Sequence, residues 1–300
     1  MQFIRSFLAG IVDYAGLFPP AALNMETAVR NYSEYRGGPD YDLLGRFVVP
    51  AAGLDEFSSA ARPYLERRES SGPWRVSALV SDDLSGATKT ILRFNSTHAA
   101  GLDGVAAVCD SIELHAGSDG DITRAARTFS RSFRLFFEIA PEPDPVSLLE
   151  SVARNTAAAK IRTGGVTDAA FPSSSEIAHF IAACNRLGLR FKATAGLHHV
   201  LTGDYPLTYE RGSARARMFG YLNLFLAAAL IRKGADEREA SELLEEQSFG
   251  AFTITETALL WRERELTAED LKGTRAHLAL SFGSCSFREP VDEVRALHLI

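Results

Sequence analysis

Lysine is scarce in this 300-residue chain: Lys89, Lys160, Lys192, Lys233 and Lys272 are the only five among 32 lysines and arginines. Cysteine is scarcer still, and Cys109, Cys184 and Cys285 are odd in number and widely spaced. That argues against a disulfide framework or a zinc ribbon and fits a reducing, cytoplasmic setting. No basic block stands out, and the formal charge of −6 with a pI near 5.7 argues against a nucleic-acid partner. The longest apolar run, Met218 to Ile231, falls short of the roughly 20 residues that cross a bilayer, so no membrane partner is expected. The opening MQFIRSFLAGIV faintly echoes a signal peptide. Asp13 interrupts it and no small-residue cleavage pattern follows, so it reads as a short helix entering the first strand. No glycine-rich dinucleotide turn follows an early strand, and no cofactor is expected.

What is present is a rhythm. Strand-like runs recur at Gly10 to Gly16, Leu44 to Pro50, Trp74 to Val80, Ser111 to His115 (preceded by Val105 to Cys109), Phe133 to Ile139, around Lys160 and around Lys192. Helix-like segments lie between them, among them Asn24 to Tyr35, Leu54 to Arg67, Asp121 to Phe129 and Pro172 to Leu187. Parallel strands need a crossover of a dozen or more residues, and these units supply it. The length suits a (β/α)8 TIM barrel, an α/β fold, as one domain over residues 1–300. Between strands seven and eight, residues of about 200–265 read as an insertion: the apolar helix, then a hairpin at Ala251 to Trp261 turning near Glu256. A helix apolar nearly all round should be buried on more than one side, by an added layer or by a second subunit, which makes a homo-oligomer through 218–231 one expectation. Strand eight falls at Ala279 to Cys285, with Thr253 to Trp261 as the alternative.

Two of the five lysines occupy matching places, in Lys160-Ile-Arg162-Thr163-Gly164-Gly165 and in Lys192-Ala-Thr194-Ala-Gly196. Between them Ser173 and Glu176 form a capping signal, and Ile177, Phe180, Ile181 and Cys184 repeat at helical spacing. The unit is strand, helix, strand, and its strands should be parallel, which makes the lysines neighbours. An ordinary lysine has a pKa near 10.4, so only about one in a few thousand is a free amine at neutral pH. Burial and a neighbouring cation both lower that value, and one lysine then activates the other. The plainer reading pairs both ammoniums with carboxylates such as Glu113 or Glu138, as structural ion pairs.

These two motifs resemble the strand-six and strand-seven lysine motifs of the deoxyribose-phosphate aldolases, class I aldolases on a barrel. Gly283-Ser284-Cys285-Ser286 is similar to that family's phosphate turn on strand eight, where backbone N–H groups cradle an anion. The resemblance implies a Schiff base on Lys160, a pKa-lowering role for Lys192, and an anion clamp at Gly283, Ser284 and Ser286. It covers about forty residues plus four. Arg162 departs from the family pattern and brings a permanent cation suited to a carboxylate or phosphate on a small, anionic carbonyl substrate. The family's proton-shuttling aspartate has no evident counterpart, and Glu113 and Glu138 are the candidates for that work. Asp13, Thr163, Gly164, Gly165, Thr194, Gly196, His198 and His199 complete the expected substrate-binding set at the strand ends. Two other readings stand beside this lyase: a metal-dependent lyase or hydrolase built from Glu113, His115, Glu138 and His198, and a barrel with no catalytic role.

Overall fold

Alternating apolar residues, bounded by caps and turns, set the architecture. In the computed structural model of the protein, residues 2–65, 72–99, 106–129, 132–142 and 144–300 are described. In chain order the elements are α1 (Gln2–Leu8), β1 (Val12–Tyr14), α2 (Met25–Arg36), β2 (Leu44–Pro50), α3 (Leu54–Leu65), β3 (Trp74–Val80), α4 (Leu84–Ala99) and β4 (Ala107–His115). Then come α5 (Asp119–Thr128), β5 (Arg134–Glu138), α6 (Val146–Arg154), β6 (Ala158–Arg162), α7 (Ser174–Arg186) and β7 (Phe191–Thr194). The C-terminal third holds β8 (Gly203–Pro206), β9 (Arg215–Met218), α8 (Tyr221–Arg232), α9 (Glu237–Leu244), β10 (Phe252–Ile254), β11 (Ala258–Trp261), β12 (Arg264–Thr267), α10 (Ala268–His277), β13 (Ala279–Ser284) and α11 (Arg288–Ala296).

Strands β1 to β7 follow one another round a closed parallel ring, and β13 closes it between β7 and β1. This is a (β/α)8 barrel, and strand eight is β13. The alternative segment, Thr253 to Trp261, belongs instead to an antiparallel sheet, β10-β11-β12, outside the barrel. That sheet has one strand more than the expected hairpin. A second ribbon, β8-β9, is an addition that the sequence pattern does not announce.

Local chemistry explains the boundaries. Asn24 caps α2, its side chain accepting from Thr27 N, and Ser173 and Glu176 close a reciprocal capping box at α7. Strand one is shorter than the run Gly10 to Gly16, because Gly10 takes φ +58°, outside the extended region. The two runs expected around Cys109 and Ser111 are one strand. Asp110 is the extra residue of a β-bulge, since Cys109 pairs with Val76 and Ser111 with Ser77. Val105 lies outside the described residues, as do the last two residues of the expected helix Leu54 to Arg67.

Of the apolar run Met218 to Ile231, Met218 ends β9 and Gly220 caps α8, so the helix begins at Tyr221. Every residue from Tyr221 to Ile231 is buried within the one chain. The cover is internal: α8 packs against α7, α9 and α10, with Tyr221 and Phe225 against Phe282 of β13. Among the described residues no helix is long and apolar enough to cross a membrane.

Candidate active site

Parallel pairing puts Lys160 directly opposite Lys192, and Glu138 opposite Lys160 on the other side. With side chains alternating along each strand, both lysines point into the barrel, where they are 4% and 1% exposed. Their ammoniums share one carboxylate. Glu113 of β4 reaches across the barrel and bridges them, with Oε2 2.8 Å from Lys160 Nζ and Oε1 2.7 Å from Lys192 Nζ. Ser77 donates to the same Oε1 at 2.7 Å.

Each lysine then has a second carboxylate. Lys160 Nζ is 2.9 Å from Glu138 Oε2, and Lys192 Nζ donates to Asp13 Oδ2 at 2.6 Å. Asp13 also accepts from Ser281 Oγ at 2.8 Å and from the Arg46 backbone N–H at 2.8 Å, so it lies deep in the barrel rather than at its mouth. Arg162, at the outer end of β6, donates through Nε to Glu138 Oε1 at 2.9 Å. Three carboxylates (Asp13, Glu113, Glu138) therefore face three cations (Lys160, Lys192, Arg162) in one connected chain.

The electrostatics run against one sequence expectation. Burial pulls the Lys160 ammonium down, but Glu113 and Glu138 outweigh it and hold the pKa above the ordinary lysine value. The expected depression of Lys160 by its neighbour is not the resting balance, because a carboxylate stands between the two cations. Glu113 is pushed the other way: burial would raise it, and the ammoniums of Lys160 and Lys192 hold it far below the usual carboxylate range. Burial likewise opposes, and Lys160 and Arg162 overcome it to produce, the depression of Glu138.

A cavity of about 280 Å³ opens onto this network at the C-terminal ends of the strands, and Glu113, Lys160 and Lys192 form its floor. Arg162, Gly165, Thr194, Gly196, His198 and Gly283 line it as the sequence suggests. Lys160, Arg162, Glu113 and Glu138 also line an adjoining cavity of about 670 Å³ together with His115. Lys160 is thus reached from both spaces, and Lys192 borders only the first.

Other expected residues serve the walls. Gly164 and Gly196 let two strand-end loops touch: a Cβ on Gly164 would lie 2.9 Å from Gly196 Cα and 2.5 Å from Phe171 Cε1. Thr163 is fully buried and donates to Ala195 O at 2.7 Å. Ser284 Oγ lies 3.3 Å from His198 Nδ1, and Ser286 Oγ accepts from Glu289 N at 3.2 Å at the start of α11. His199 does not line the cavity. It is stacked on Tyr205 and held by Glu293 at 2.5 Å.

Phe18, Pro19, Pro20 and Cys285 also line the cavity, although sequence reasoning does not place them in the substrate-binding set. The Phe-Pro-Pro run reads simply as the end of strand one, and its position just past Asp13 is the available signal. The four side chains of the metal reading do not converge. Glu113 and Glu138 are both engaged by Lys160, and His198 faces Ser284 and Glu289. Among the described residues no group of three or more His, Cys, Asp or Glu side chains is placed to hold a metal ion.

No family model and no curated protein matches the chain. Among solved structures, the crystal structure of the Bacillus cereus spore cortex-lytic enzyme SleL is similar at 10% identity and a TM-score of 0.38, covering 97% of this chain and 74% of that one. A likeness that weak says nothing about chemistry.

Proposed function

We propose that the protein is an aldolase-type lyase acting on a small carbonyl compound that carries an anionic group, through a Schiff base on Lys160. The observation that carries this reading is the buried Glu113 carboxylate bridging two in-register lysines on the floor of a cavity. A purely structural ion pair has no need of a cavity opening on it, whereas imine chemistry needs an amine, a proton carrier and room for a substrate.

The roles follow from the contacts. Glu113 or Glu138 takes a proton from the Lys160 ammonium, at 2.8 or 2.9 Å, and the free amine adds to the carbonyl carbon. The same carboxylic acid returns that proton to the oxygen and then carries a second one from the attached nitrogen to the resulting hydroxyl, which leaves as water, and an iminium that keeps the nitrogen's last proton remains. The iminium carries the charge that the ammonium carried, so carboxylates that favour one favour the other. It then accepts the electron pair of the carbon–carbon bond one atom further out as that bond breaks: the hydroxyl on the departing carbon gives its proton to the carboxylate, that fragment leaves as an aldehyde, and the nitrogen remains on a neutral enamine.

Lys192 keeps a positioning role. By sharing Glu113 it weakens that carboxylate's hold on Lys160, so its influence on the Lys160 pKa is downward even though the resting value is raised. Arg162 spends one N–H on Glu138 and presents the rest of its fork at the rim, where a substrate carboxylate or phosphate fits. Gly283, which lines the same cavity, is the second part of the clamp in this reading.

Borohydride reduction in the presence of small aldehydes and 2-oxo acids, read by intact-mass spectrometry, tests the reading. A stable adduct is expected on the wild type and not on Lys160→Ala. An adduct that survives this substitution, or none on the wild type across the panel, removes the imine.

A further inference from the structure

The opposite end of the barrel carries a second concave site with its own charge. A cavity of about 340 Å³ is bordered by Arg46, Arg75, Arg134, Arg190, Asp110 and Thr156. These residues come from the N-terminal ends of five strands or the turns just before them: β2, β3, β5, β6 and β7, with Asp110 supplied by the β4 bulge. Asp110 is fully used. Arg46 grips it through Nε and Nη2 at 2.7 and 3.0 Å, and Arg75 Nε donates to it at 2.9 Å.

Among the described residues, four guanidiniums against one carboxylate leave three positive charges around the cavity. Among the described residues neither Arg134 nor Arg190 has an acid within ion-pair distance. Holding like charges together opposes folding unless something offsets them. The crowding is felt at Arg134, where partial burial and the guanidiniums of Arg46, Arg190 and Arg75 lower the pKa from its ordinary value. A chain that needed only to plug the bottom of its barrel would match the arginines with acids, as it does with Asp110.

We propose that this cavity is a binding site for a compact polyanion of the pyrophosphate or phosphate-ester class. The arginine fork donates two parallel N–H bonds to phosphate, and a concave wall brings several forks onto one ligand. Arg134 and Arg190, having no acid of their own among the described residues, are the principal contacts, with Arg75 turning part of its fork from Asp110 to the anion. The site lies at the far end of the strands from Lys160 and is independent of the imine reading.

Isothermal titration calorimetry of the full chain with inorganic pyrophosphate, at fixed ionic strength, tests it. The wild type should bind at this cavity whether or not the Arg162 clamp takes a second ion, and Arg134→Gln/Arg190→Gln should weaken that binding about 100-fold or more, at about tenfold per charged contact. Arg162→Gln, which removes the cation at the other mouth, should leave that binding intact. Both arginines are exposed, so the double variant should fold, as circular dichroism and a melting temperature no lower than that of the wild type would verify. No binding by the wild type, undiminished binding by the folded double variant, or loss of binding in Arg162→Gln would each overturn the assignment.

Discussion

Replacing Glu113 by glutamine asks directly whether the buried network is held by that one carboxylate. Glu113 accepts from Lys160, Lys192 and Ser77 at 2.7 to 2.8 Å and is 2% exposed. A glutamine keeps the shape but has one acceptor oxygen, and its NH2 must face one of the two ammoniums, donor against donor. Breaking a buried ion pair by removing one partner costs about 3–5 kcal/mol. At about 2.1 cal/mol/K per residue, a chain of 300 residues unfolds with an entropy of about 0.6 kcal/mol/K. The melting temperature should therefore fall by about 5–8 °C, measured by calorimetry at pH 7.

The cost should be shared between partners. Lys192→Met removes the cation that the new amide cannot satisfy, so the double variant should be less destabilised than the sum of the single changes by about 0.5–3 kcal/mol. If Glu113→Gln loses less than about 1 kcal/mol, or the cycle shows no coupling, the carboxylate does not bind the lysines as the geometry states.

Four further outcomes follow. Because Lys160 is held protonated, the rate of adduct formation should climb about tenfold per pH unit from 7 towards 10 as the free amine appears; a flat profile contradicts the raised pKa. Stability from Glu113 and Glu138, whose pKa values are depressed, is complete above about 4.3 and lost as pH falls through the folded values, whereas that from Lys160 is complete below about 10.4 and lost as pH rises through its own. With His198 held neutral when folded and the buried Cys109 and Cys184 thiols held protonated, chemical denaturation should give a plateau from about pH 7 to about 8.5 with losses on both sides. His198, pushed down to about 4 chiefly by burial, should show no imidazole titration by NMR between about pH 5 and 8, and a midpoint near 6.5 would place it in solvent. Gly164→Ala drives a methyl against Phe171 and the Gly196 backbone, and should lower stability by about 1–3 kcal/mol in denaturant unfolding.

The barrel was legible because its strands obey simple rules. Leu44–Pro50 and Trp74–Val80 are bounded by the residues their alternation suggests, and β13 follows a helix that is itself capped by Thr267 and Asp270. The register of Lys160 with Lys192 followed from equal placement in two strands joined by one helix. Other features depend on distances that no local pattern encodes. Glu113 lies 47 residues before Lys160 in sequence, and nothing short-range says that its side chain, rather than solvent or a second lysine, fills the space between two amines. The bulge at Asp110 looks like a break between two strands when partners are unseen. The β8-β9 ribbon is short and half-exposed, and its alternation is too brief to stand out from loop.

In the proposed reaction the Lys160 nitrogen is the atom that meets the substrate. Tandem mass spectrometry of peptides from the borohydride-reduced wild type locates the modified residue directly. The added mass is expected on the peptide containing Lys160, with Lys192 unmodified; mass found on Lys192 or on a surface lysine such as Lys89 would contradict a Schiff base on Lys160.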